Sequence, residues 1–265
     1  RTDMRRYTSL VMLTAGRCLG RVLLLLAAMG AAQIALFLPW MERRQEVYDS
    51  VVEDYVNAPF HLNTIFEEGH VSTLWAVGLL ALLMLLLYTS SRGGEYTLRR
   101  LRLPGLKADL TIALSNLLLL VLFWVGEMAI LLGLAVWYNA QLPAEYAGPN
   151  TVFLACYQTN LLHSILPMED FLRWVRNILV LACLALSTAQ GASLLRRGKR
   201  PMGVFILSVV ASMSWVIPAW QIALDLMIMM AAVVVAMCAV VDLESYHSGR
   251  EDEDHEKNRN SLGQV

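Results

Sequence analysis

From Val22 to Trp40, from Val71 to Ser90 and from Met202 to Val216 the chain carries no Asp, Glu, Lys or Arg. From Leu110 to Tyr138 it carries one, Glu127. A helix rising about 1.5 Å per residue needs roughly 20 apolar residues to cross a bilayer's hydrocarbon layer. Soluble domains instead interleave apolar and polar residues at a period near 2 or 3.6. With 57% hydrophobic and 16% charged residues, the chain reads as an all-α polytopic membrane protein whose first partner is lipid. The net charge of -1 is uninformative, because charge is segregated along the chain. No nucleic-acid partner is expected. Four scattered cysteines without a CxxC spacing point away from a disulfide framework or a zinc site, and no cofactor is expected.

Taken in order, the chain divides into six expected spans within one transmembrane domain, residues 1–242. A charged tail, 243–265, is expected to be disordered. Residues 1 to 21 interleave Arg1, Arg5, Arg6, Arg17 and Arg21 with apolar residues, which predicts a basic interfacial helix before the first span, Val22 to Trp40. A cleavable signal peptide shares this arrangement, but the apolar run is too long for one and ends in Pro39-Trp40. The chain opens on Arg1 rather than methionine, so further residues are expected upstream. Val71 to Ser90, about Leu110 to Tyr138, and about Phe171 to Leu195 follow as spans. Met202 to Val216 and Ala219 to Val241 close the set, hinged at Pro218. Residues 151–166 are apolar but contain Gln158, Asn160 and His163, and they predict a re-entrant or surface helix.

Basic residues then set the orientation. The N-terminal stretch, the 91–110 loop, the 195–200 loop and the tail hold seventeen of the 21 Lys and Arg. The other side holds only Arg43, Arg44, Arg173 and Arg176. The positive-inside bias predicts both termini in the cytoplasm. The 41–70 loop faces outward and is acidic, with Glu42, Glu46, Asp49, Glu53, Asp54, Glu67 and Glu68. It would attract a cationic substrate or peptide, unless it is simply a solvated face.

Residues 91–110 are more patterned than orientation requires. Gly93-Gly94 and Pro104-Gly105 bracket a stretch in which Tyr96, Leu98, Leu101 and Leu103 alternate with Arg99, Arg100 and Arg102. Glu95 and Arg99 stand four apart in the order that favours a helical ion pair. The pattern predicts an amphipathic cytoplasmic helix with Glu95, Tyr96, Leu98, Arg99, Arg100, Leu101 and Arg102 as a docking face for a partner. The alternative is a loop that is basic only to set topology.

Two acids lie inside apolar runs. Glu127 sits near the middle of its span, where a carboxylate costs about 2.5–3.5 kcal/mol on insertion scales and must be protonated, partnered or wet. It is either a polar point on a translocation path or a buried lock between helices. Asp225 lies near the outer end of the last span and is expected to reach water there. The chain has no GxxxxGK[ST], HExxH or GxSxG motif, and its five histidines lack ligand spacing. The chain therefore does not bind ATP through a phosphate-binding loop, and it is not expected to be an enzyme. An intramembrane enzyme using Glu127 or Asp225 with His163, and a stand-alone immunity or sensor protein using the acidic loop, remain as alternatives.

The layout resembles the export-type ABC transporter permeases of bacteria. RTDMRRYTSLVML resembles their N-terminal interfacial helix, and SRGGEYTLRRLRL resembles the coupling helix between their second and third spans. YTLRRL followed by a long third span ending in Trp137-Tyr138 is similar to permease-like bacterial proteins. One feature differs: the outer apolar helix stands before the fourth span here and between the fifth and sixth in the family. The resemblance implies a multi-pass subunit of the bacterial plasma membrane, a separate ABC ATPase partner and a second permease copy, homo- or heterodimeric. Single cysteines at Ser50 and Asn150 should react with an impermeant thiol reagent in whole cells, and those at Ser91 and Ser248 only after permeabilisation. Labelling of Ser91 in intact cells would overturn the orientation.

Overall fold

The computed structural model describes residues 2–51, 53–92, 105–148, 150–216 and 222–262. Among the described residues the chain forms nine helices and one antiparallel hairpin. In order these are α1 (Thr2–Met41), β1 (Arg44–Asp49), β2 (Asp54–Pro59), α2 (Leu62–Glu68) and α3 (Val71–Arg92). Then come α4 (Gly105–Gln141), α5 (Thr151–Gln158), α6 (Asn160–Ile165), α7 (Phe171–Arg196), α8 (Met202–Val216) and α9 (Ile222–Leu262). The docking segment read from the sequence, Glu95 to Arg102, lies outside the described residues, as does the Pro218 hinge.

Parts of α1, α3, α4, α7 and α9 are long and apolar enough to cross a membrane. The apolar α8 has 15 residues, covering roughly 22 Å of a hydrocarbon layer about 30 Å thick. The protein is thus a multi-pass helical membrane protein, with α8 shorter than its five apolar companions. Helix α7 occupies the centre: 61% of its most apolar window is buried, against 22% for α9. Its small residues allow this. A Cβ on Gly191 would lie 2.6 Å from Val204 of α8 and 2.9 Å from Leu87 of α3, so only glycine lets the three helices close up here. Trp75 of α3 and Trp215 of α8 meet edge to face with centroids 4.8 Å apart, both fully buried.

Two sequence expectations are corrected. The N-terminal stretch is not a separate interfacial helix but the start of a single 40-residue α1. Leu10, Cys18, Val22, Leu26, Met29, Gln33 and Phe37 are all buried. Steps of three, four or eight residues form one unbroken face, and no proline interrupts the helix before Pro39. Thr14 Oγ1 lies 2.7 Å from Ser115 Oγ of α4, and the Cys18 thiol donates to Thr89 Oγ1 of α3 at 3.1 Å, so this part packs into the bundle.

Helix α9 runs on from the last apolar run through Leu262. The run from Arg250 to Asn260 contains no proline or glycine to stop the helix. The start of this extension is also anchored. Leu243 is fully buried, and the Arg197 guanidinium stacks 3.6 Å from the Tyr246 ring.

The expected acidic loop is partly a β-hairpin, which pairs Val47 with Val56 and Tyr48 with Tyr55. The two tyrosine rings meet at 5.5 Å across the strands. Beyond the hairpin, Phe60 packs edge to face on Trp40, and Tyr138 donates its hydroxyl proton to the Phe60 carbonyl at 2.6 Å. The hairpin is thereby tied to the ends of α1 and α4. Residues 151–166 form two short helices, α5 and α6, divided at Thr159, in agreement with a non-spanning segment.

Candidate functional site

At 3.6 residues per turn, Asp109, Asn116, Glu127 and Tyr138 of α4 fall within about 40° of one another around the helix, and they spread over roughly 44 Å of its length. All four are buried. Each has a partner on a different part of the fold. Asp109 accepts from Arg196 of α7 at 2.9 Å and faces His247 of α9 at 3.1 Å. Asn116 donates to Thr188 of α7 at 3.1 Å and accepts from Ser90 of α3 at 3.4 Å. Glu127 accepts from Gln33 of α1 at 2.7 Å, both residues being fully buried. Tyr138 reaches the Phe60 carbonyl. One face of one helix therefore carries a polar ladder through the bundle, touching α1, α3, α7 and α9.

The Gln33–Glu127 pair is incompletely satisfied. Gln33 Oε1 and Glu127 Oε1 are buried without a hydrogen-bond partner. A carboxylate offers only acceptors to this pair, whereas a carboxylic acid supplies the donor it lacks. The sequence singled out Glu127 but not its partner. Yet Gln33 is the only Asn, Gln, Ser or Thr in the run from Val22 to Trp40, so a signal was present.

A second cluster lies at the hairpin end. Here the expectation for Asp225 is corrected: its side chain is 2% exposed and lies in a buried ion pair rather than reaching water. Arg176 Nη1 of α7 donates to Asp225 Oδ1 at 2.5 Å, and Arg173 lies 3.6 Å from Oδ2. Asn177 Oδ1 accepts from Arg176 at 3.1 Å and from the Trp215 indole at 2.8 Å. Asn177 also donates to the Ser164 carbonyl at 2.9 Å, and Arg176 Nη2 reaches that same carbonyl at 3.3 Å. The cluster thus joins α7, α8 and α9 and clamps the last turn of α6. By sequence alone Arg173 and Arg176 read as two of the four basic residues of the outer side. Their position within an apolar run, with Asp225 as the one acid of a later run, is the signal that pairs them.

The polar residues do not converge on a single reaction centre. Glu127 and Asp225 belong to separate clusters, and among the described residues no hydrogen bond or ion pair joins His163 to either. His163 lies against the Tyr157 ring at 5.3 Å. Burial first, then the Arg173 guanidinium, hold it below the usual histidine range, while Asp170 and Glu169 pull the other way. Among the described residues no group of three or more His, Cys, Asp or Glu side chains forms a metal centre. No protein-family model, curated protein or solved structure matches the chain.

A buried ion pair is worth little against apolar replacements but costs about 3–5 kcal/mol when one partner alone is removed. Arg176→Met should therefore lower thermal stability in detergent markedly, because Asp225 keeps only the longer contact to Arg173. Arg176→Met combined with Asp225→Leu should recover most of that loss. If the double variant is as unstable as the sum of the two single variants, the pair is not the organising contact of this cluster.

Proposed function

We propose that this chain is the membrane-spanning permease subunit of a bacterial exporter, driven by a separate ABC ATPase on the cytoplasmic side and working with a second permease copy. The observation that supports the reading best is the polar face of α4. Buried carboxylates and amides inside an apolar bundle are costly, and apolar residues would pack there as well or better. Their spread along one helix face suits a path whose lining rearranges between two states, more than a lock needed at one depth. Glu127, at the middle of that face, is the candidate polar point of the path. The basic 91–110 segment is the candidate docking face. Energy from the ATPase would reach the ladder through α3 and α4, which flank that segment and share the Ser90–Asn116 contact.

The stand-alone sensor reading draws on a different observation: the hairpin exposes Tyr48, Val51 and Tyr55 on an acidic segment, a surface suited to a cationic peptide. The two readings differ in whether an ATPase is required. Tagged protein should co-purify with an ABC ATPase from its native membrane. Leu98→Asp or Leu101→Asp should abolish that association without reducing membrane insertion, because apolar anchors concentrate docking energy. Normal co-purification by both variants would rule out this docking face, and absence of any ATPase with the wild type would favour the sensor.

A further inference from the structure

Between α2, the start of α3, α4, the α5–α6 junction and the end of α8 lies a cavity of about 110 Å³. Its apolar wall includes Phe66, Leu131 and Val216, and its polar wall includes Glu67, Thr159 and Asn160. Thr159 is 3% exposed, and its hydroxyl is buried without a hydrogen-bond partner. That is unusual for its place in the chain. Thr159 precedes α6 as its N-cap, where a threonine hydroxyl ordinarily accepts a backbone N–H, yet it makes no such bond. A buried hydroxyl left unmade costs free energy comparable to a lost hydrogen bond, so a site retaining one beside open volume has room for a group to bond it.

We infer that this cavity binds a small organic cation, an ammonium on a short apolar body, with the nitrogen at Glu67 and Thr159. The charge follows from Glu67, an exposed acid that lines the cavity, and from the surrounding 41–70 segment, which holds seven acids against two arginines. The hydroxyl oxygen of Thr159 accepts an N–H, and the Glu67 carboxylate accepts another while supplying the opposite charge. Phe66 gives the cation an aromatic neighbour. The size follows from the volume: an engineered apolar cavity of about 150 Å³ holds benzene, so about 110 Å³ suits an ammonium carrying about four carbon atoms. The cavity wall is held in place from behind. α6 contributes Thr159's neighbours to the wall, and Arg176 and Asn177 grip its far end through the Ser164 carbonyl.

The site does not rest on the exporter reading, since it needs neither ATPase nor transport. The test is titration of n-butylammonium chloride into the purified full chain in lipid nanodiscs, with empty nanodiscs subtracted and n-butanol as the neutral isostere. Saturable one-to-one binding of the ammonium is expected, with n-butanol much weaker. Glu67→Gln and Thr159→Val should each weaken binding by about tenfold, the scale of one hydrogen bond to a charged group, while Thr159→Ser keeps the hydroxyl and retains affinity. Glu67 is exposed, so its variant folds whatever becomes of Thr159→Val. Absence of saturable binding overturns the proposal. So does equal affinity for n-butanol, or wild-type affinity in Glu67→Gln.

Discussion

A polar group inside hydrocarbon has no water to turn to, so each one on a spanning helix must find a partner on a neighbour. Helix α4 carries four buried polar groups on one face, and their partners determine which helices stand beside it. Asp109 brings in the C-terminal extension of α9 and the end of α7. Asn116 reaches α7 and α3, Glu127 reaches α1, and Tyr138 holds the base of the hairpin. Apolar packing in a membrane gives little preference among neighbours, because lipid tails are as apolar as leucine. The ladder supplies the preference, and small residues such as Gly191 let the chosen neighbours approach.

At the hairpin end the same constraint acts through charge. Arg176 and Asp225 are each buried at a cost that their mutual contact offsets, together with Arg173 on the acid and Asn177 and the Ser164 carbonyl on the guanidinium, and Trp215 completes the set. The consequence is mechanical. Two short helices, too brief to be stable alone, are fixed because the Ser164 carbonyl is the acceptor this cluster still requires. Positioning α6 in turn shapes the cavity beneath the acidic segment. A network at the ends of α7, α8 and α9 thereby positions one wall of that cavity.

Much of this plan was legible in the sequence. Unbroken apolar blocks revealed the long helices, and the polar content of residues 151–166 argued against a span there. Glu127 stood out because it is the one charge in its run. What the sequence obscured were relations between runs. Gln33 means little until α1 lies beside α4, and Arg176 looks like a surface charge until α9 brings Asp225 to it. The N-terminal helix was divided by its arginines, although steps of four from Leu10 through Thr14 and Cys18 to Val22 already continued one face. The hairpin was masked by its acids, although Val47, Tyr48, Tyr55 and Val56 stand symmetrically about the turn.

The central claim is that the paired polar face of α4 organises the bundle, and the Gln33–Glu127 contact is its most buried rung. A double-mutant cycle with Gln33→Leu and Glu127→Leu, read by thermal unfolding in lipid nanodiscs, measures that rung directly. The account predicts that the two changes are non-additive, with a coupling of at least about 0.6 kcal/mol, the average for hydrogen bonds between membrane helices. Strict additivity would show that the two residues are buried side by side without holding the helices together, and the ladder would lose its organising role.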